Sequence, residues 1–133
     1  MSVKWNADEV MRRIRAGTMR GVMRGTERVH DKATRLIMDP PKTGKHHRGL
    51  PNRSSAPGEA PATQSGRLQQ SGRTIYNEAT LSGVASWSSE HALPLEVGTE
   101  KIAPRPYARR ALAEEVEGIR QDVAAEIARE LNT

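Results

Sequence analysis

The chain contains no cysteine and no phenylalanine, and its four aromatic residues are Trp5, Tyr76, Trp87 and Tyr107. Without thiols there is no disulfide framework, no thiolate metal site and no cysteine nucleophile. So few rings also argue against a single-strand nucleic-acid binder, which stacks bases on aromatic side chains. No run approaches the roughly 18 consecutive apolar residues of a membrane span. Residues 1–30 are rich in arginine but lack the apolar centre of a secretory leader, and Asp8, Glu9 and Glu27 argue against a transit peptide. A soluble intracellular protein with no membrane partner is expected. Apolar residues are also scarce, at 35% of 133 positions, against roughly 45–50% for a typical domain on a count that includes glycine. The length suits one domain, 1–133. A core this thin predicts long helices, burial between subunits, or both.

Charge is present but unevenly placed. Residues 1–58 hold 13 Lys and Arg against 5 Asp and Glu, and residues 59–133 hold 8 against 11. The halves are therefore +8 and −3 within a net +5. A +8 half suits nucleic acid or an acidic protein surface, and opposite-signed halves also suit head-to-tail contact between copies.

The sequence predicts a long helix over 6–38. Asn6 is a good N-cap, with Glu9 three residues on as in a capping box, and Trp5 and Val10 are placed as a hydrophobic staple. Met11, Ile14, Thr18, Val22, Gly25, Val29, Ala33 and Leu36 then form one stripe at about 100° per residue. Asp39-Pro40-Pro41 stops it, because a residue before proline avoids the α region. At 1.5 Å per residue such a helix runs to about 45–50 Å, long enough that part of it is expected to pack on something else.

Two features ride on this helix. Arg20, Arg24, Arg28, Lys32 and Arg35 form a basic ridge, either a solvated face or an electrostatic contact with DNA or an acidic neighbour. Gly17, Gly21 and Gly25 run beside it. Each glycine costs a helix about 1 kcal/mol relative to alanine, so three in register predict the close approach of another backbone or a bend. Together they place this face at an interface, with acidic groups opposite from the carboxylate-rich 114–130 helix of a neighbouring subunit.

Residues 39–65 form a basic, proline-rich loop carrying Lys42, Lys45, Arg48 and Arg53 as further interface or DNA-facing candidates. Its composition offers almost nothing to bury. It is expected to be extended and held mainly by other chains. The remainder, 66–133, reads as a sheet plus a C-terminal helix. Ser65–Ser71 suits a helical turn, Thr74–Asn77 and Thr80–Trp87 suit strands joined at Asn77-Glu78-Ala79, and Ser88–Val97 suits a short helix ending at Gly98. Pro106 suits the first position of the last helix. There Ala108, Leu112, Val116, Ile119, Val123, Ile127 and Leu131 form the expected core stripe.

Chemistry is sparse. His46-His47 lies in the loop without the i,i+4 spacing of a helical metal site, and His30 and His91 stand alone. Gly44-Lys45 lacks the rest of a phosphate-binding loop, and no Gly-x-Ser-x-Gly elbow occurs. Nothing near Glu90 and Glu96 supplies the apolar pocket that separates a catalytic carboxylate pair. No catalytic residue, cofactor or metal is expected.

Three segments resemble a known family. Ala56-Pro57-Gly58-Glu59-Ala60-Pro61, followed by Ser65-Gly66-Arg67-Leu68-Gln69-Gln70-Ser71, is similar to a "Pro-Gly-x-x-Pro … Ser/Thr-Gly-x-Leu-x-x-Ser" signature. His91-Ala92-Leu93-Pro94-Leu95-Glu96-Val97-Gly98-Thr99 is similar to "Tyr-Ala-x-x-x-Glu-x-Gly-Thr". Ile102-Ala103-Pro104-Arg105-Pro106-Tyr107 with Ala111-Leu112 is similar to "Ala-x-Pro-Phe-x-x-x-Ala-Leu". These belong to small neck and tail components of long-tailed bacteriophages. The resemblance covers about residues 56–131, with His91 for the usual Tyr and Tyr107 for the usual Phe. It implies an α+β fold: a small sheet flanked by a long N-terminal helix and a C-terminal helix, with a long loop. It also implies a non-enzymatic virion protein assembled as a ring, commonly hexameric, at the head–tail junction. Such a ring completes or terminates the tail and joins it to the head connector. Its partners would be further copies, neighbouring connector and tail-tube proteins, and genomic DNA touched without sequence preference. Pro57, Gly58, Gly66, Leu68, Glu96, Gly98, Thr99, Pro106 and Tyr107 would be its structural positions. A small basic DNA-binding protein is the competing class.

Overall fold

A computed structural model of the chain describes residues 6–39, 41–50, 52–63 and 66–132. The fold is α+β, as the sequence predicts. Helix α1 spans Ala7–Met38, α2 Arg67–Gln70, strands β1 Gly72–Asn77 and β2 Ser82–Trp87, α3 Ala92–Val97 and α4 Ala108–Leu131. The Asn6 side chain caps α1 by accepting from Glu9 N at 3.1 Å, while Glu9 itself turns to Arg12 and Arg13. The expected staple of Trp5 on Val10 lies outside the described residues, as do Pro40 and Ser65.

The two strands pair antiparallel, Gly72 opposite Trp87 through Asn77 opposite Ser82. Both are shifted from expectation: β1 starts two residues earlier and β2 starts two later than Thr80. Asn77 causes the late start. Its Oδ1 accepts from Ala79 N at 2.9 Å and Thr80 N at 3.3 Å, which holds 78–81 as a turn, and Leu81 closes it at a φ of 52°. The inner face of the ribbon lies on α1, where Gly83 meets Thr26 and Val22, and Gly72 meets the His30 ring. Its outer face carries the register partners Ile75 and Val84, which are 61% and 52% exposed.

Alpha helices 1 and 4 form an antiparallel pair along most of α4. A Cβ on Gly17 would stand 2.8 Å from Ile127 Cα, one on Gly21 2.5 Å from Val123 Cα, and one on Gly25 2.8 Å from Ile119 Cγ2. Every four residues down α1 match four back along α4. The same step leads on to Ala33 and Ala111, both fully buried in the one core cluster. Glycine is required here because the helices approach backbone to backbone. The remaining core is small: Leu36, Ile37, Ala60, Ala92 and Tyr107, with Val29, Leu68, Trp87 and Leu95 around it.

One expectation fails on α4. The helix does not bury the stripe from Ala108 to Leu131, for Leu112, Val116 and Leu131 are 51%, 40% and 45% exposed. The inward face is Ala111, Ile119, Val123 and Ile127 together with the carboxylates Glu115, Asp122 and Glu126. The acids point inward because the arginines of α1 await them there. The start of α4 also differs, with Tyr107 as the N-cap and Pro106 preceding it.

Candidate functional site

The basic ridge is held by its own chain. Arg28 grips Asp122 with two parallel hydrogen bonds of 3.0 Å, from Nε and Nη2, and reaches Glu115 at 3.4 Å. Arg24 Nη1 donates to Glu126 at 2.7 Å, and Arg20 contacts both Glu126 and Glu130. Lys32 pairs with Glu114 at 3.3 Å. The acidic helix expected of a neighbouring subunit is thus the chain's own α4, and the backbone expected beside the glycines is α4 too. Such forked arginine–carboxylate pairs fix geometry as well as charge. Side-chain hydrogen bonds from Arg24, against the opposing effect of burial, and then from Arg20 hold the Glu126 carboxyl below the usual range. Arg35 is exposed and makes no ion pair among the described residues.

The proline-rich loop is likewise pinned by its own chain, contrary to its composition. Ser55 and Ala60 are buried and Pro61 is fully enclosed. Lys42, read from the sequence as an interface or DNA-facing candidate, instead turns inward and caps α1 by donating to Leu36 O at 2.7 Å. Burial lowers the pKa of its ammonium. Ala56-Pro57-Gly58-Glu59 is a tight turn, with Glu59 N on Ala56 O at 3.0 Å and Gly58 at a φ of 87°. That pattern is a type II turn, which favours Pro then Gly at its centre. The Glu59 carboxylate accepts from Ala56 N at 2.6 Å and from Thr43 N and Oγ1 at 3.1 and 3.0 Å. These backbone donors, Ala56 first, hold the Glu59 carboxyl below its usual range.

Beyond this clasp the loop projects as a tongue. Gly44 N donates to Ser54 O at 2.9 Å and Ser54 N to Lys45 O at 3.0 Å, joining two arms. The tip turns at 47–50, where Leu50 N meets His47 O at 3.2 Å and Gly49 has a φ of 86°. A Cβ on Gly44 would strike the Ser54 and Ser55 carbonyls. Lys45, His46, His47, Arg48 and Arg53 are all exposed. Arg53 returns to Gly44 O at 3.1 Å. Lys45 and Arg48 make no ion pair among the described residues.

The positions that carry the family resemblance come together beside the clasp, which Gly58 joins to Pro104. Glu96, on α3, is a buried carboxylate that caps α4 from outside. Its oxygens accept from Tyr107 N at 2.9 Å, Ala108 N at 3.0 Å, Arg109 N at 2.8 Å and Arg109 Nε at 3.1 Å. Burial pushes this carboxyl up, and the three backbone donors with the Arg109 guanidinium more than reverse that, leaving it lowered. Tyr107 is buried, donates to Ala92 O at 3.0 Å and meets the Trp87 ring edge-on at 5.3 Å. Burial, then the Glu96 charge, pushes its hydroxyl up to about 12. Gly98 has a φ of 80°, and a Cβ there would press on Pro104 at 2.9 Å. Thr99 Oγ1 accepts from Lys101 N and Ile102 N. Gly58 N reaches Pro104 O at 3.4 Å, and Arg105 N meets Leu95 O at 2.6 Å. Gly66 opens α2 at a φ of 78°, and Leu68 packs on the core.

Between β2, α1 and α4 lies an apolar cleft of about 460 Å³, lined among others by Val22, Val29, Val84, Trp87, Leu112 and Ile119. Among the described residues, no three His, Cys, Asp or Glu side chains gather as a metal site. No helix there is long and apolar enough to cross a membrane. Sequence reasoning missed Glu59 as the loop's clasp, and it set the carboxylates of 114–130 opposite the ridge from a neighbour rather than facing inward in the same chain. The inward placement had a signal: Asp122 and Glu126 stand four residues apart, as Arg24 and Arg28 do, with Glu115 two turns earlier on the same face. No protein-family model, curated protein or solved structure matches this chain.

Proposed function

We propose that the chain is a non-enzymatic structural subunit of a long-tailed phage virion, forming a ring, hexameric as in the family it resembles, at the head–tail junction. There it would complete or terminate the tail and join it to the connector, meeting neck, connector and tail-tube proteins. The observation that carries this reading is the meeting in space of the three resembling segments. The first segment reaches the third through Gly58 and Pro104, and the second closes on the third through Leu95 and Arg105 and through Glu96 and Tyr107. A set of short motifs that forms one structural unit is better support than the same motifs scattered over a surface.

A second observation supports assembly. Twelve large apolar side chains are exposed among the described residues, in a chain already poor in them. Ile75 and Val84 among them stand side by side on the outer face of the ribbon, and contiguous exposed apolar surface, unlike single scattered side chains, marks an interaction site. Rings arise when one face of a subunit meets a different face of the next. Light scattering after size exclusion, with negative-stain imaging of the purified chain, tests the reading. Closed rings are expected. A monomer at every accessible concentration overturns it, and imaging of a whole virion then locates the subunit along the tail axis.

A further inference from the structure

We infer that the unpaired edge of β2, with the apolar cleft beside it, receives an extended segment of a different protein, which adds as a third strand and sets alternate apolar side chains into the cleft. The cleft lies off that edge and not under the sheet. Gly83, Val84 and Ala85 line it in succession, from both faces of the strand, and no residue of β1 does. Val22 and Val29 of α1 form its floor, and Leu112 of α4 stands across from β2. Strand β2 and helix α4 each flank the cleft, and both pack on α1 while scarcely meeting each other. A slot is left beside the strand.

The edge itself selects a strand as the occupant. Among the described residues only β1 pairs with β2, so one row of backbone N–H and C=O groups beside the slot has no strand against it. Natural sheets guard such edges with charge, proline or a bulge. Strand β2 reads Ser-Gly-Val-Ala-Ser-Trp in unbroken register and has none of the three. The free edge of β1 is guarded by the exposed Arg73, whose Nη1 donates to Gln70 O at 3.1 Å and Gly72 O at 3.0 Å. A second copy therefore offers a guarded strand. Outside the helices and the two strands, the described residues hold no run of alternating large apolar side chains. The occupant is thus assigned to another protein.

The lining sets the occupant's sequence. Arg109 is the single charged side chain there, and Glu96 already holds it, through Nε on Oε1 at 3.1 Å and Nη2 on the backbone O at 2.9 Å. No free charge faces the slot, so the inward positions of the added strand are uncharged. From Gly83 to Trp87 the slot runs about 13 Å at 3.3 Å per residue, room for about two or three inward side chains at alternate positions. Main-chain hydrogen bonds give such a contact its affinity, and the alternate side chains give it specificity.

This inference does not depend on the ring reading. Short random peptides displayed on yeast are selected against the purified full chain, and the best binder, labelled with fluorescein, is titrated by anisotropy. The expected binders share uncharged apolar residues at alternate positions. N-methylation of alternate backbone nitrogens is expected to abolish binding in one register and to spare it in the other, because an edge strand pairs through one side only. Leu112→Lys is expected to keep its circular dichroism and to weaken binding about tenfold or more, a buried apolar contact being replaced by a charge. Arg120→Gln, on the exposed side of α4, is expected to leave binding unchanged. The inference is overturned if no binder emerges, if binders lack the alternating pattern, if both N-methylated registers behave alike, or if Leu112→Lys binds as the parent does. It is also overturned if the peptide breaks up assemblies seen by light scattering, which marks a second copy as the occupant and leaves the ring reading in place. Register-dependent binding by a chain that forms no rings supports it and sinks the ring reading alone.

Discussion

Gly21 and Val123 face each other so closely that a methyl group on the first would stand 2.5 Å from the Cα of the second. No side-chain rotation relieves such a contact, because the obstructing atom is backbone. Gly21→Ala therefore sets two effects against each other. Alanine improves the helix by about 1 kcal/mol, and overpacking between fixed helices costs about 1–3 kcal/mol. The net effect is a loss of stability. Urea unfolding checks it, and a gain would mean that α1 and α4 stand farther apart than described.

The two apolar neighbours on α4 should respond differently. Ile119 rests on Gly25, so Ile119→Ala is expected to cost about 2 kcal/mol, the low end of core truncations. Leu112 is half exposed, so Leu112→Ala should cost under about 0.5 kcal/mol in the isolated subunit, in the range of surface changes. Chemical denaturation of both variants decides it, and equal losses would restore the stripe read from the sequence.

Acid should loosen the start of α4. The folded state lowers the Glu96 pKa, so the carboxylate stabilises the fold above its unfolded value of about 4.3. That contribution is lost as pH falls through the folded value. Glu96→Gln keeps the size but turns an amide toward backbone donors, and should cost about 1–3 kcal/mol at neutral pH. Its stability should also fall less steeply below pH 5 than that of the parent chain. An unchanged acid slope would show that other carboxylates, Glu126 and Glu59 among them, dominate the response.

Assembly should depend on the outer face of the ribbon. Ile75 and Val84 are directly opposed and exposed, and among the described residues each strand of the two-stranded sheet has one edge with no strand paired to it. Val84→Lys is expected to leave the monomer's circular dichroism intact and to shift light scattering toward smaller species. Unchanged rings would place the subunit contact elsewhere.

Local physics made much of this legible. The Asn6 cap, the extent of both long helices, the hairpin and the turn at Gly98 each depend on residues within a few positions. The glycine spacing even announced a close backbone neighbour. What the sequence hid was the neighbour's identity, since nothing local distinguishes α4 of the same chain from α4 of another. Periodicity also misdirected the burial of α4. Leu112, Val116 and Leu131 fit the apolar stripe, yet Ala111 and the carboxylates face inward beside Ile119, Val123 and Ile127, because the partner surface is glycine and arginine. The loop was misread for a related reason. Lys42 and Glu59 look like solvated charges in a list, and become anchors only when a bare carbonyl or a row of backbone N–H groups comes within reach.

The antiparallel run of α1 and α4 also gives the subunit a direction. Gly17 lies beside Ile127, whereas Leu36 and Tyr107 belong to the other end, where the clasp and tongue begin. The start of α1 and the finish of α4 therefore leave from one pole, and the cationic tip projects from the region of the other. Reporters attached at Ala7 and at Leu131 would lie on the same side of the molecule. In a stacked assembly they would mark which way each layer faces, and they would leave the tongue unobstructed.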